Sequence, residues 1–223
     1  IGFPVRKTPG EAKQDWKLIV DLAKRCGLNW DYKNVSAVYE EMASTMSSLN
    51  NISWQRLEKD GSVCYPVDDE RSFGNEILFS DGFPTSNGKA KIVPADLMPP
   101  DEKPNKKYPF ILTTGRLLEH WHTGAMTRRS SMLEAQEPIP TVSMHPYDIR
   151  KLGLKRGENV LVETQRGIIE ILLREDRDVS KGMLFIPFCF TESPANKLTN
   201  PHLDPYGKIP EFKYAAARVY KVN

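Results

Sequence analysis

What most constrains this chain is the punctuation of its second half. From Tyr108 onward, short apolar runs alternate with glycine-bearing turns: "YPFILTTG", "VLVET", "IIEILLR", "GMLFIPF" and "YAAARVYKV". Each run is short for a helix and rich in β-branched or other apolar residues, as strands are. "VLVET" and "IIEILLR" are joined at Gln165, Arg166 and Gly167, a turn sequence, and "LKRGENV" reads as another. One helical signal stands among them. Pro146 takes a first helical position, Asp148 falls in the first turn, and Gly153 lies beyond the end. Several short strands, one small helix and a glycine at each corner predict a closed barrel, which leaves no sheet edge exposed.

The first half has a different texture. In "KTPGEAKQDWKLIVDLAKRCG", Thr8 is placed to cap a helix, with Pro9 at its first position and Glu11 completing a capping box. Trp16, Ile19, Val20, Ala23 and Cys26 recur at helical spacing, and Gly27 supplies the stop. A second helix is expected from Ser36, with Val38, Met42 and Met46 on one face, and a third in "SWQRLEKDG". From Gly61 to Lys107, prolines, glycines and mixed charges dominate. Asn87-Gly88 predicts a turn leading into a short strand, "AKIVP". "MPPDEKPNKK" cannot build a core, which places a domain boundary near residue 105.

Charge and cysteine usage narrow the function classes. Lys and Arg number 31 against 29 Asp and Glu, and a net charge of +2 gives no case for nucleic acid or a membrane surface. No apolar run approaches the ~20 residues of a membrane helix. Cys26, Cys64 and Cys189 are scattered and form no CxxC. They read as three reduced, mostly buried thiols rather than a disulfide framework or metal ligands. No signal peptide is visible, and a start at Ile1 fits a piece of a longer polypeptide.

Chemistry concentrates in "TTGRLLEHWHTGAMTRRSS", Thr113 to Ser131. His120 and His122 are two apart and would share one face of a strand, but zinc needs further ligands, and no HExxH or CxxC supplies them. No GxSxG or Cys–His motif marks a nucleophile. Two readings stay level. One is a polar barrel-corner loop with Trp121 covering the core. The other is an anion loop, in which Gly115 and Gly124 admit a phosphate to the backbone and Arg116 adds a bidentate contact. It is neither a Walker loop nor a GxGxxG turn. Downstream of "FCFTESP", Asn196 offers an amide suited to a heterocycle edge, and Lys213 places a cation at the entrance to the last strand. Together with an aromatic they would complete a nucleotide-type pocket.

Three stretches carry a family resemblance: "TGRLLEHWHTGAMTRRS", "MHPYDIRKLGLKRGENVLVETQRG" and "ANKLTNPHLDPYGKIPEFKYAAARV". They resemble the C-terminal portion of molybdenum- or tungsten-dependent oxidoreductases that carry bis-(molybdopterin guanine dinucleotide), above all the catalytic subunits of formate dehydrogenases. Periplasmic-type nitrate reductases share the wording around "LEHWHTG", while the tail with "LDP" and "KIPEFK" favours formate dehydrogenase. The resemblance implies an α/β N-terminal segment, residues 1–105, as the tail of the central α/β region. Residues 106–223 would then be a mainly β domain, a six-stranded double-psi β-barrel that binds the dinucleotide.

Residue by residue, the resemblance makes the run Thr114, Gly115, Arg116, Leu117, Leu118, Glu119, His120, Trp121, His122 and Thr123 the segment that wraps one pterin dinucleotide. Phe188 matches an aromatic beside the cofactor or substrate channel, and Asn196 and Lys213 match polar cofactor contacts. The motifs for the metal ligand, the formate-handling residues and an iron–sulfur cluster are not in this sequence and are expected upstream. The implied reaction is formate oxidation to carbon dioxide. The implied partners are the N-terminal catalytic portion of the same enzyme and electron-transfer subunits, with no nucleic acid and no membrane insertion. Nitrate as substrate, and a non-enzymatic barrel serving as an interaction module, are the alternatives.

Overall fold

Inward and outward residues alternate along the strands of the second half, and that alternation closes it into a barrel. The structure, a computed structural model, describes residues 1–67, 69, 70 and 72–222. Six strands are present: β1 Phe110–Gly115, β2 Thr141–Met144, β3 Asn159–Glu163, β4 Ile168–Glu175, β5 Met183–Pro187 and β6 Ala215–Lys221. Leu112, Val160, Val162, Ile169, Ile171, Leu173, Leu184, Ile186, Ala217 and Val219 point inward and form one core. β2 differs, because all four of its residues are buried.

The strands run β1-β5-β2-β4-β3-β6 around a closed ring. β1 with β5 and β2 with β4 are parallel pairs, and the other four pairs are antiparallel. Exchanging β1 with β4, β2 with β5 and β3 with β6 leaves every neighbour and every direction unchanged. This pseudo-twofold wiring, with a crossover in each half, is that of a double-psi barrel, and its six strands are those the family resemblance implies.

The connections repeat the same logic. Between β2 and β3 lies a short helix, Pro146–Lys151, capped by His145, whose Nδ1 accepts from Tyr147 N–H at 3.0 Å. Its Asp148 accepts from the Gly182 N–H at 2.7 Å, tying the helix to the turn before β5. At the matching place between β5 and β6 stands a single 3-10 turn, Ala195–Lys197. Glu102, upstream of β1, is buried against the barrel. It accepts from the Ala216 N–H at 2.7 Å and pairs with Arg166.

By contact, the chain divides into Ile1–Pro94 and Ala95–Asn223. In the first unit lie α1 Asp15–Arg25, α2 Val35–Thr45 and α3 Trp54–Asp60, and no strand among the described residues. Thr8 does not cap α1, which starts only after Gln14. The Pro9-Gly10 pair instead makes a turn, closed by Ala12 N–H to the Pro9 carbonyl, because Gly10 takes a left-handed φ. On α1, Val20 and Ala23 are buried, whereas Ile19 is exposed.

α2 is capped by Asn34 and starts at Val35, one residue before the expected Ser36, and Ser53 caps α3. The predicted strand "AKIVP" does not form. The turn at Gly88 is present, but 90–94 has no ladder partner, and Ile92 and Val93 are exposed. Cys26 and Cys64 are exposed rather than buried, since both follow the ends of helices; only Cys189 is buried, and all three are free.

Candidate functional site

Parallel pairing of β1 and β5 sets the geometry of the candidate site. Both strands end together, with Gly115 opposite Pro187, and the Phe188 N–H continues the ladder to the Gly115 carbonyl at 3.2 Å. Close packing is built in at that point: a Cβ on Gly115 would lie 2.5 Å from the Phe185 ring. Two loops leave from here, one after Gly115 and one after Pro187. At the same end, Thr114 donates through Oγ1 to the Phe212 carbonyl at 3.0 Å, which brings Lys213 beside the end of β1. The turn between β3 and β4 arrives there too, and Arg166 donates to the Leu198 carbonyl at 3.1 Å next to the 3-10 turn that carries Asn196.

One end of the barrel thus gathers Thr114, Gly115, Arg116, Phe188, Asn196 and Lys213 from four separate stretches of chain. Arg116, Asn196 and Lys213 are exposed, and no side-chain partner is found for any of them among the described residues. Phe188 is half-buried against the core. Two cations and an amide with free donors suit the phosphates and base edge of a dinucleotide. The glycine at the mouth makes room for the Phe185 ring, which packs where a side chain would stand.

The loop after β1 has a different division of labour from the one its sequence suggests. His120 is the buried member, 1% exposed, while Trp121 is 62% exposed and does not cover the core. His120 Nε2 lies 2.7 Å from the Glu137 carbonyl, and Nδ1 lies 3.3 Å from Thr127 Oγ1, so both ring nitrogens are engaged within the protein. Its ring meets Phe190 edge-on at 5.7 Å. His122 sits at φ 48, tilted against Trp121 at 4.5 Å, and is exposed. Leu118, 98% exposed, and Thr123 face outward, and Leu117 and Glu119 are half-buried. Of the ten residues from Thr114 to Thr123, then, His120 supports the loop from inside, and Arg116 and His122 present unengaged polar groups.

Ion pairs without any local signature fasten these loops. Arg128 donates both terminal nitrogens to Glu192, at 2.8 and 2.7 Å, and also reaches Glu134 at 3.1 and 3.3 Å. The Arg128 guanidinium holds the Glu192 carboxyl down to about 2, and the two carboxylates in turn raise the pKa of Arg128. Arg174 on β4 forks onto Glu137 at 3.0 and 2.6 Å, which raises the Arg174 pKa and anchors the residue whose carbonyl holds His120. Only the doubled arginine in "MTRR" could have drawn attention; Glu192 lies 64 residues away from its partner. Among the described residues no group of three or more His, Cys, Asp or Glu side chains is placed to hold a metal, and no helix is long and apolar enough to cross a membrane.

Comparison with known families decides what kind of barrel this is. Residues 110–216 match the molydopterin dinucleotide binding domain. The barrel belongs to that family. As a dinucleotide-binding barrel with its preceding helices, the chain is 39% identical over 216 residues to the F420-dependent formate dehydrogenase subunit alpha of Methanocaldococcus jannaschii, covering 96% of this chain and 32% of that one. It is 30% identical to the assimilatory nitrate reductase catalytic subunit of Bacillus subtilis, covering 97% of this chain and 32% of that relative. The solved structure of acetylene hydratase from Pelobacter acetylenicus matches with a TM-score of 0.66 at 22% identity, over 96% of this chain and 33% of that one, a likeness of fold. The chain spans about a third of the length of the relatives it matches.

Proposed function

We propose that this chain is the cofactor-gripping part of a formate dehydrogenase. Its barrel end holds one half of a bis-(molybdopterin guanine dinucleotide). The observation that carries this is the convergence of Arg116, Asn196, Lys213 and Phe188, with unpartnered cations and amide, on one end of a barrel of the dinucleotide-binding family. Arg116 and Lys213 are suited to the pyrophosphate, Asn196 to the guanine edge, and Phe188 to the apolar side of the ligand. When bound, the molybdenum or tungsten centre supplies a two-electron couple for oxidising formate to carbon dioxide.

This chain's own residues bind and orient. The exposed charge on Arg116 and Lys213 offsets the diphosphate, and the two loops screen it from water. Metal ligand, formate-handling residues and iron–sulfur cluster belong to the remaining two-thirds of a relative-length enzyme, and electron-transfer subunits complete the chain of redox partners. The preference for formate rests on the higher identity to the F420-dependent formate dehydrogenase alpha subunits, 33–39% against 27–30% for nitrate reductases. A relative named "Putative formate dehydrogenase" stands at 29%. Nitrate is the second reading, favoured by the same near-full coverage in those relatives.

The test is turnover by the whole enzyme that contains this chain, with a viologen dye as electron carrier. Formate-driven dye reduction without nitrate-driven dye oxidation is expected. Nitrate turnover with no response to formate overturns the choice of substrate.

A further inference from the structure

Beyond Gly115 and Pro187 the barrel ladder no longer holds the two site loops together, yet the ligand-facing residues sit on both. Arg116 to Thr123 lie on the first loop; Phe188 opens the second, which leads to Asn196. Contacts between the loops beyond the ladder centre on one side chain. Arg128 forks onto Glu192 at 2.8 and 2.7 Å, and its Cζ lies 4.8 Å from the centroid of the Phe190 ring. Glu134 fixes the other side of the same guanidinium at 3.1 and 3.3 Å, and His120 packs edge-on against the same Phe190.

Gly124 makes room for this arrangement. It takes φ 72, and a Cβ there would fall 2.7 Å from both Cγ and Cδ of Arg128 and 3.1 Å from the Cys189 carbonyl. Among the described residues, the side chain of the next residue, Arg129, donates to the Ala125 carbonyl of its own loop. A salt bridge placed merely for stability at so exposed a carboxylate contributes little. A fork that joins two loops, stacks on an aromatic and has a glycine cut away for it fixes relative position.

We propose that Arg128 is a positioning residue, which keeps the loop after β1 in register with the loop after β5 so that Arg116 and Phe188 meet the same ligand. The inference rests on the reading of this barrel end as the dinucleotide site. The planar fork matters and not the charge alone, so lysine cannot replace it fully.

The test uses the whole enzyme that contains this chain and two readouts. In the cofactor-free enzyme, amide hydrogen exchange is measured at Trp121, Gly124 and Arg128 and at β3. Arg128→Ala is expected to speed exchange in the loop about tenfold and Glu192→Gln about threefold, both leaving β3 unchanged. In the loaded enzyme, the rate of pterin dinucleotide loss is measured for Arg128→Ala, Arg128→Lys, Arg116→Ala and the Arg116→Ala/Arg128→Ala double variant.

Arg128→Ala is expected to speed loss about tenfold, with Arg128→Lys intermediate. The double variant is expected to lose cofactor no faster than about the worse single variant, because an unpositioned Arg116 has little left to contribute. Multiplicative effects in the double variant, or loop exchange unchanged in Glu192→Gln, overturn the proposal. If Arg128→Ala fails to fold, Glu192→Gln and Arg128→Lys carry both readouts. Should Arg116→Ala by itself leave retention unchanged, the site reading fails; if it speeds loss and Arg128→Ala does not, only the positioning role fails.

Discussion

At the scale of single residues, Glu192 gives the clearest electrostatic consequence. Its carboxyl titrates at about 2 in the folded protein against an ordinary value of 4.5, chiefly through the Arg128 hydrogen bonds. A depressed folded pKa contributes stability that is complete above the unfolded value and is lost as pH falls through the folded one. The window therefore runs from about 4.5 down to about 2. The side chain is half exposed, so water screens the pair and holds its contribution below about 1 kcal/mol. Wild type is expected to melt above Glu192→Gln at pH 6, with the two melting temperatures converging as pH falls to the bottom of the window. A gap that stays constant over that range contradicts the pairing.

Residue identity was legible in the sequence where chemistry is local. Arg116, Asn196 and Lys213 stand out as donors near turns, and all three emerge exposed at one end of the barrel. His120 was not legible as a buried post, because its partners are a carbonyl 17 residues on and an aromatic beyond β5. The partnership of Arg128 with Glu192 has no local signature at all.

Elements show the same division between local and long-range causes. β3 and β4 were plain as short apolar runs joined by a glycine-bearing turn, and in the structure buried residues recur along each. β2 had no such mark, because a strand buried on both faces loses its period. "AKIVP" had strand propensity but no partner, and an unpaired segment does not become a strand. At α1 the Pro9-Gly10 turn overrode a capping pattern that was good by spacing alone.

β2 sits between β4 and β5, and its Met144 is fully buried opposite Leu184. Met144→Ala should destabilise the barrel by about 2–5 kcal/mol in urea unfolding, as a cavity in a closed ring has few ways to collapse. A loss under about 1 kcal/mol would show that β2 is not the keystone its position suggests.

At the scale of the whole molecule, the pseudo-twofold wiring explains why one end of the barrel collects so many stretches of chain. β1 and β5 are parallel and finish together, and β3 and β6 are antiparallel, so β6 begins where β3 ends. Loops distant in sequence therefore open side by side, each free to carry a ligand contact while the core stays apolar. Short apolar runs with glycine corners were enough to foresee a barrel; the exchange of halves was not, since no repeat is visible in the residues themselves. The relatives are about three times as long as this chain.

The proposed cofactor grip depends on Arg116 and Asn196 acting together on one pterin dinucleotide. The most direct measurement is the pterin nucleotide content per polypeptide of the purified whole enzyme, wild type against the Arg116→Ala/Asn196→Ala double variant. Two lost hydrogen bonds to charged or buried ligand groups predict a content reduced at least about tenfold after gel filtration. Wild-type content in a folded double variant would contradict the assignment of this barrel end as the cofactor's grip.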